Sequence, residues 1–256
     1  MTKSRVAVLT LAVLAAIVAG GANAAVVKVG NLILRADGGF APNKLPRSSF
    51  APIDFHGYAE IEARDGGVPP VLQRGVIDFD HDGRLDTNGL PTCGVERVAT
   101  ASTAQARRSC PNAIVGSGRV SGVIAPPGEA PQPVSSALTI FNGPRQGGNP
   151  TVVLHAQMPA PSSQVIAISV PIERRRGTYG YRATIEVPPI AGGYGVLTRL
   201  QAKVGKRYFV AGRERSYVSA RCSDGVLQAH GHFSFVGGMV IDGTVFKGCT
   251  VRKPGS

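Results

Sequence analysis

The chain predicts an all-β fold, a single β-sandwich-like domain with one short helix over about residues 102–109 and two local disulfides. Three features lead there. Short runs of Val, Ile, Thr and Tyr recur at intervals of about 8–15 residues, the spacing of a sandwich or barrel rather than of alternating strands and helices. With 33 Gly and 19 Pro among 256 residues, tight turns are frequent. All four cysteines, Cys93, Cys110, Cys222 and Cys249, lie well after the N-terminal apolar run. An even number of cysteines in an exported chain reads as disulfides.

The first residues carry an export leader. Lys3 and Arg5 supply positive charge, Val6 to Val18 form the apolar run, and Ala22-Asn23-Ala24 gives a small-x-small cleavage pattern. The predicted organisation is a signal peptide over 1–24 and one domain over 25–256. No later run reaches the about 20 apolar residues of a membrane span. The expected location is secreted or cell-envelope associated.

After the leader, Val26 to Arg35 reads as a strand interrupted at Gly30-Asn31, and residues 36–52, with Pro42, Pro46 and Pro52, as a loop. Tyr58 to Arg64 alternates as a half-buried strand does, and Val71 to Phe79 leads into an Asp-rich turn. Ser102 followed three residues later by Gln105 is a capping box, and Ala104, Ala106, Arg107 and Arg108 carry the helix to Cys110-Pro111. Strands are then expected over 113–124, 136–141, 151–157, 164–172, 179–187, 195–204 and 207–210. A long hairpin loop is expected over 142–150. From 216 to 251 further strands are expected, with turns at 223–225 and Asp242-Gly243. Four cysteines allow three connectivities. Cys93–Cys110 and Cys222–Cys249 are preferred because each pair brackets a compact local unit. A shift in charge and proline content near 125–133 leaves two sandwiches as the alternative.

The net charge is +12, and its distribution is uneven. Residues 25–124 hold 11 Lys/Arg against 10 Asp/Glu, whereas residues 125–256 hold 15 against 6. Outside a cell such a basic half suits anionic polymers, and nucleic acid is not an expected partner. Arg174, Arg175, Arg176, Arg182, Lys206 and Arg207 are the candidate contacts, interleaved with Tyr179, Tyr181 and Tyr208. Arg pairs bidentately with carboxylates or sulfates and Tyr stacks on sugars. The same charges also suit a strand edge kept soluble.

Asp78, Asp80, Asp82 and Asp86 are the candidate metal ligands. With Gly83, they match positions 1, 3, 5, 9 and 6 of a calcium loop, but Gly89 stands where the bidentate Glu belongs. A hairpin turn with solvated carboxylates fits the same residues. Calcium is accordingly the one cofactor the spacing suggests. His230 and His232 share one face of a strand, without a third metal ligand nearby in sequence. No G-x-S-x-G elbow, P-loop or dinucleotide fingerprint is legible, and carboxylate pairs such as Glu60 and Glu62 are too common in β-rich chains to identify a catalyst.

Several phrases together carry a resemblance: Gly39-Phe-Ala-Pro42 with Leu45-Pro-Arg47; Gly83-Arg-Leu-Asp-Thr-Asn-Gly-Leu-Pro-Thr-Cys93 after Asp80; Ala104-Gln-Ala-Arg107 before Cys110; Phe141-Asn-Gly143; Val187-Pro-Pro189 with Gly192-Gly193; and Ser216-Tyr-Val-Ser-Ala-Arg-Cys222. The chain resembles a group of uncharacterised exported proteins of high-GC Gram-positive bacteria. The resemblance covers most of the chain after the leader and implies an intact exported module. It supplies no activity or catalytic residue. The expected function is that of an exported, non-enzymatic binding or structural protein whose basic C-terminal half meets anionic cell-envelope polymers. The alternative is a secreted polysaccharide hydrolase with catalytic carboxylates not identified from sequence.

Overall fold

The computed structural model describes residues 24–158 and 163–252. The expected leader falls outside the described residues except for Ala24. In chain order the strands are β1 (Ala25–Val29), β2 (Leu32–Ala41), β3 (Lys44–Leu45), β4 (Ala51–Pro52), β5 (Asp54–Ala63), β6 (Leu72–Asp80) and β7 (Gly83–Leu85). Helix α1 (Thr103–Ser109) follows, then β8 (Ile114–Ile124), β9 (Gln132–Gln146), β10 (Asn149–Gln157), β11 (Val165–Arg174) and β12 (Tyr179–Glu186). The last strands are β13 (Gly195–Val204), β14 (Arg207–Val210), β15 (Arg213–Ser216), β16 (Val218–Ala220), β17 (Val226–Phe235), β18 (Val240–Gly248) and β19 (Thr250–Val251). The fold is all-β.

Twelve strands form one antiparallel sheet in the order β1-β2-β5-β13-β8-β9-β10-β11-β12-β6-β17-β18. The sheet curls round so that its two ends face each other across a shared core. Leu32, Leu34 and Ile61 from one end pack with Leu72, Phe235 and Ile241 from the other. Phe55 on β5 meets Phe79 on β6 edge-on, with ring centroids 6.1 Å apart. At the open end β1 and β2 lie against β18, which covers both terminal edges of the sheet. Strands from either side of residues 125–133 alternate within this sheet, β13 lying between β5 and β8.

Small sheets close the remaining gaps. β16 sits between β4 and β7, β14 pairs with β15, and β19 pairs parallel with β3. Leu45, Ile53, Ala220 and Cys222 form a cluster there, tied to the junction of β18 and β19 by Cys222–Cys249. The helix begins at the expected capping box: the Ser102 hydroxyl accepts from Gln105 N, and Gln105 Oε1 accepts from Ser102 N. Ala106 packs with Phe141 and Val153 on the outward side of β9 and β10. Cys93–Cys110 fastens the helix end to the preceding loop, so both preferred pairings are present.

Three expected loops or turns differ. Residues 36–41 extend β2, because all ten of its residues pair with β5 and the ladder compensates for Gly38 and Gly39. The expected loop over 142–150 is mostly strand. It turns only at Gly147-Gly148, where positive φ of 55° and 81° suits a two-residue hairpin, and Pro150 falls at a bulge. Asp242-Gly243 lies inside β18, and the turn is made by Gly237-Gly238 instead, again at positive φ.

Candidate functional site

The acidic stretch is a structural knot first. Alternation along β6 sets Asp78 and Asp80 on one face, and the pairing of β6 with β12 puts Arg182 directly beside Asp78. Arg182 donates Nε to Asp78 Oδ1 and Nη2 to Asp78 Oδ2, both at 2.7 Å. Those bonds hold the Asp78 carboxyl below its usual pKa. Asp80 is buried; Oδ1 accepts from Asp82 N at 2.8 Å and Oδ2 from Gln228 N at 3.0 Å. Burial outweighs these bonds and pushes its pKa up.

Asp82 is fully buried. Its Oδ1 accepts from Arg221 Nε and its Oδ2 from Ser223 N, each at 2.7 Å. Burial works to raise its pKa, yet the bonds from Ser223 and Arg221 prevail and lower it. Asp86 accepts from Arg215 Nη1 at 2.9 Å and from Asn88 N at 3.0 Å. Among the described residues, Asp80, His81 and Asp82 bring potential ligand atoms within 4.8 Å of one another. Asp78 and Asp86 stand outside that group, held by Arg182 and Arg215. The fold therefore divides the expected calcium set, because arginines from later strands reach its outer members.

The basic residues divide in the same way. Arg182 is committed to Asp78. Lys206 donates to Asn112 O, and its partial burial lowers its pKa. Arg175 and Arg176 are exposed in the β11–β12 connection, and Arg207 is exposed on β14. Arg174 lines a polar cleft of about 170 Å³ together with Arg84, Arg145, Asp86, Thr87 and Asn88.

The three arginines of that cleft come from β7, β9 and β11, and each is held in place. Arg84 lies over the Phe50 ring at 5.6 Å and Arg174 over the Tyr181 ring at 5.5 Å. Arg145 donates Nη1 to Gly148 O at 2.8 Å and Nη2 to Thr87 Oγ1 at 3.4 Å. None of the three has an ion-pair partner among the described residues. Asp86, the carboxylate among the lining residues, is neutralised by Arg215. The cleft thus presents three oriented guanidiniums, which suit bidentate recognition of carboxylate, phosphate or sulfate.

Arg84 and Arg145 escape a reading of the sequence. Arg84 sits inside the stretch that resembles a calcium loop, and Arg145 inside what resembles a flexible Gly-rich loop. Only the packing of the β9–β10 hairpin beside β7 joins them. A second, shallower hollow of about 340 Å³ crosses the outside of β5, β13 and β8, lined by His56, Tyr58, Ser117, Arg119, Gln201 and Lys203. Gly57, Ala202 and Gly118 are paired across the same three strands. Comparison with protein-family models, curated proteins and solved structures finds no match.

Proposed function

We propose that the protein is exported and binds an anionic polymer of the cell envelope through the cleft of Arg84, Arg145 and Arg174. The observation that carries this reading is the convergence of three arginines, held by aromatic faces and hydrogen bonds and without a carboxylate partner among the described residues. Arg175 and Arg176 continue the basic surface from Arg174, and Arg207 adds charge on β14. Export is supported by the leader-like residues 1–24 and by two disulfides, which persist in oxidising compartments. No described helix is long and apolar enough to cross a membrane. Kinship with the exported proteins of high-GC Gram-positive bacteria belongs to the same reading and rests on the phrases quoted above.

The hydrolase alternative requires two carboxylates facing each other across a hollow. The cleft offers Asp86 alone, already bound to Arg215, and the shallow hollow has no carboxylate among its lining residues. The geometry therefore favours binding. The test is retention of the oxidised protein on isolated cell wall and on an immobilised polyuronate across a salt series. Retention by wild type should fall as salt rises, and the triple variant R84Q/R145Q/R174Q should be retained far less at every salt concentration. Equal retention of the two proteins would overturn the proposal.

A further inference from the structure

We infer that the outer face of the β14–β15 ribbon docks on an anionic lipid surface, with Phe209 entering the boundary between headgroups and acyl chains. Alternation along β14 divides its side chains. Tyr208 and Val210 pack inward against Leu90, Val115, Leu138, Ile140 and Tyr217. Arg207 and Phe209 therefore face outward, and Phe209, 72% exposed, is the most exposed large apolar residue among those described.

The ribbon is anchored from its inner side. Tyr208 donates its hydroxyl to Asp86 O at 3.0 Å, and Arg215 donates Nη1 to Asp86 Oδ2 at 2.9 Å. Val210 fills the space that a Cβ on Gly89 would need. The two strands are joined by the shortest hairpin turn, Ala211-Gly212, with φ of 48° and 74°. Phe209 is thus presented by a fixed element, and Ala211, Gly212 and Arg213 beside it are exposed.

Charge selects the partner. Residues 206–216 hold Lys206, Arg207, Arg213 and Arg215 against one carboxylate, Glu214, which pairs in register with Phe209. Arg207 and Arg213 are exposed and have no ion-pair partner among the described residues. A lone exposed apolar residue is ordinary, and arginines alone suit a strand edge kept from pairing. An apolar ring held among unpaired arginines combines the two weak attractions, acyl-chain insertion and headgroup charge, that together hold a protein at a membrane surface. A second copy of the ribbon would instead bring like charges together.

The experiment is co-sedimentation of the oxidised protein with vesicles of phosphatidylglycerol and phosphatidylcholine, and with vesicles of phosphatidylcholine alone, across a salt series. Wild type should sediment with the anionic vesicles, less so as salt rises, and hardly at all with the neutral ones. F209S and R207Q/R213Q should each weaken partitioning by about tenfold. F246S, at the next most exposed phenylalanine, should leave it unchanged. All these side chains are exposed, and urea midpoints identify any variant that is misfolded. The chain has no Trp, so F209W supplies a single reporter whose emission should shift to the blue on anionic vesicles. Absence of binding, binding undiminished in F209S and R207Q/R213Q, or an unshifted F209W spectrum would each overturn the inference. So would a dimer in solution abolished by F209S, which would assign the face to a second copy. Loss of vesicle binding in R84Q/R145Q/R174Q but not in F209S would place the headgroups in the arginine cleft and equally overturn it.

Discussion

Arg182 and Asp78 are joined across β12 and β6 by two parallel hydrogen bonds, each 2.7 Å long, although 104 residues separate them in the chain. The pair lies beside the turn that leads into β7, so it fixes both a strand register and the start of the acidic knot. Arg182→Ala leaves the carboxylate of a largely buried Asp78 without its charged partner. The expected loss is about 2–3 kcal/mol, read as a lower urea midpoint at unchanged slope.

Acid should destabilise the fold through the same residues. Asp78 and Asp82 have pKa values lowered below the ordinary 3.8, so the folded state binds their protons less tightly than the unfolded state does. Their contribution is complete above the ordinary carboxylate range and is lost as pH falls through the depressed folded values. Asp80, raised by burial, acts in the opposite sense and offsets part of that loss. Urea midpoints measured from about pH 6 to about pH 3 should fall for wild type, and fall less steeply for R182A, in which the Asp78 pKa is no longer depressed by its partner.

Asp82→Asn tests the centre of the knot. Asp82 holds Arg221 and Ser223, the two residues flanking Cys222. Asn retains the shape but supplies one acceptor oxygen and no charge, leaving Arg221 unpaired. A loss of about 3 kcal/mol is expected. Reduction of Cys222–Cys249 by a fixed concentration of dithiothreitol should also become faster, measured by thiol alkylation.

Removing the first disulfide as C93A/C110A should cost about 3 kcal/mol in the chain-entropy picture. The damage should be local. Hydrogen exchange should rise over α1 and its contact with β10, while the β6–β17 ladder stays protected. A uniform rise across the whole sheet would contradict the assignment of the helix as a locally pinned cover.

A methyl group at Gly118 would run into the carbonyl oxygen of Gln201 on the neighbouring strand. Backbone cannot give way as a flexible side chain can, so Gly118→Ala should destabilise by about 1–3 kcal/mol. Gly248→Ala, where added volume meets nothing within 4 Å, is the matched control and should stay within about 0.5 kcal/mol of wild type.

The elements that were legible in sequence are those whose signals are local. The Ser102/Gln105 box begins α1 because both of its hydrogen bonds are made within four residues. Alternation over 58–64 located the second half of β5, and closeness in sequence favoured the two disulfides. Glycine-rich stretches were harder to read. Residues 36–41 and 142–146 became strands because a partner ladder stabilises glycines that have little strand preference of their own.

By itself the sequence determined the all-β class, the short capped helix and the excess of positive charge in the C-terminal half, and it favoured the local disulfides among three connectivities. Those properties follow from composition, period and contacts among near neighbours. Tertiary structure decided which charges are committed and which are free. Arg182, which read as a surface contact, closes on Asp78, and Arg221 closes on Asp82 across 139 residues. Arg84 and Arg145, which carried no signal, meet Arg174 at one cleft. Strand period specifies which face a side chain occupies, whereas its neighbours on that face depend on strand order and register, which long-range packing of the curled sheet establishes.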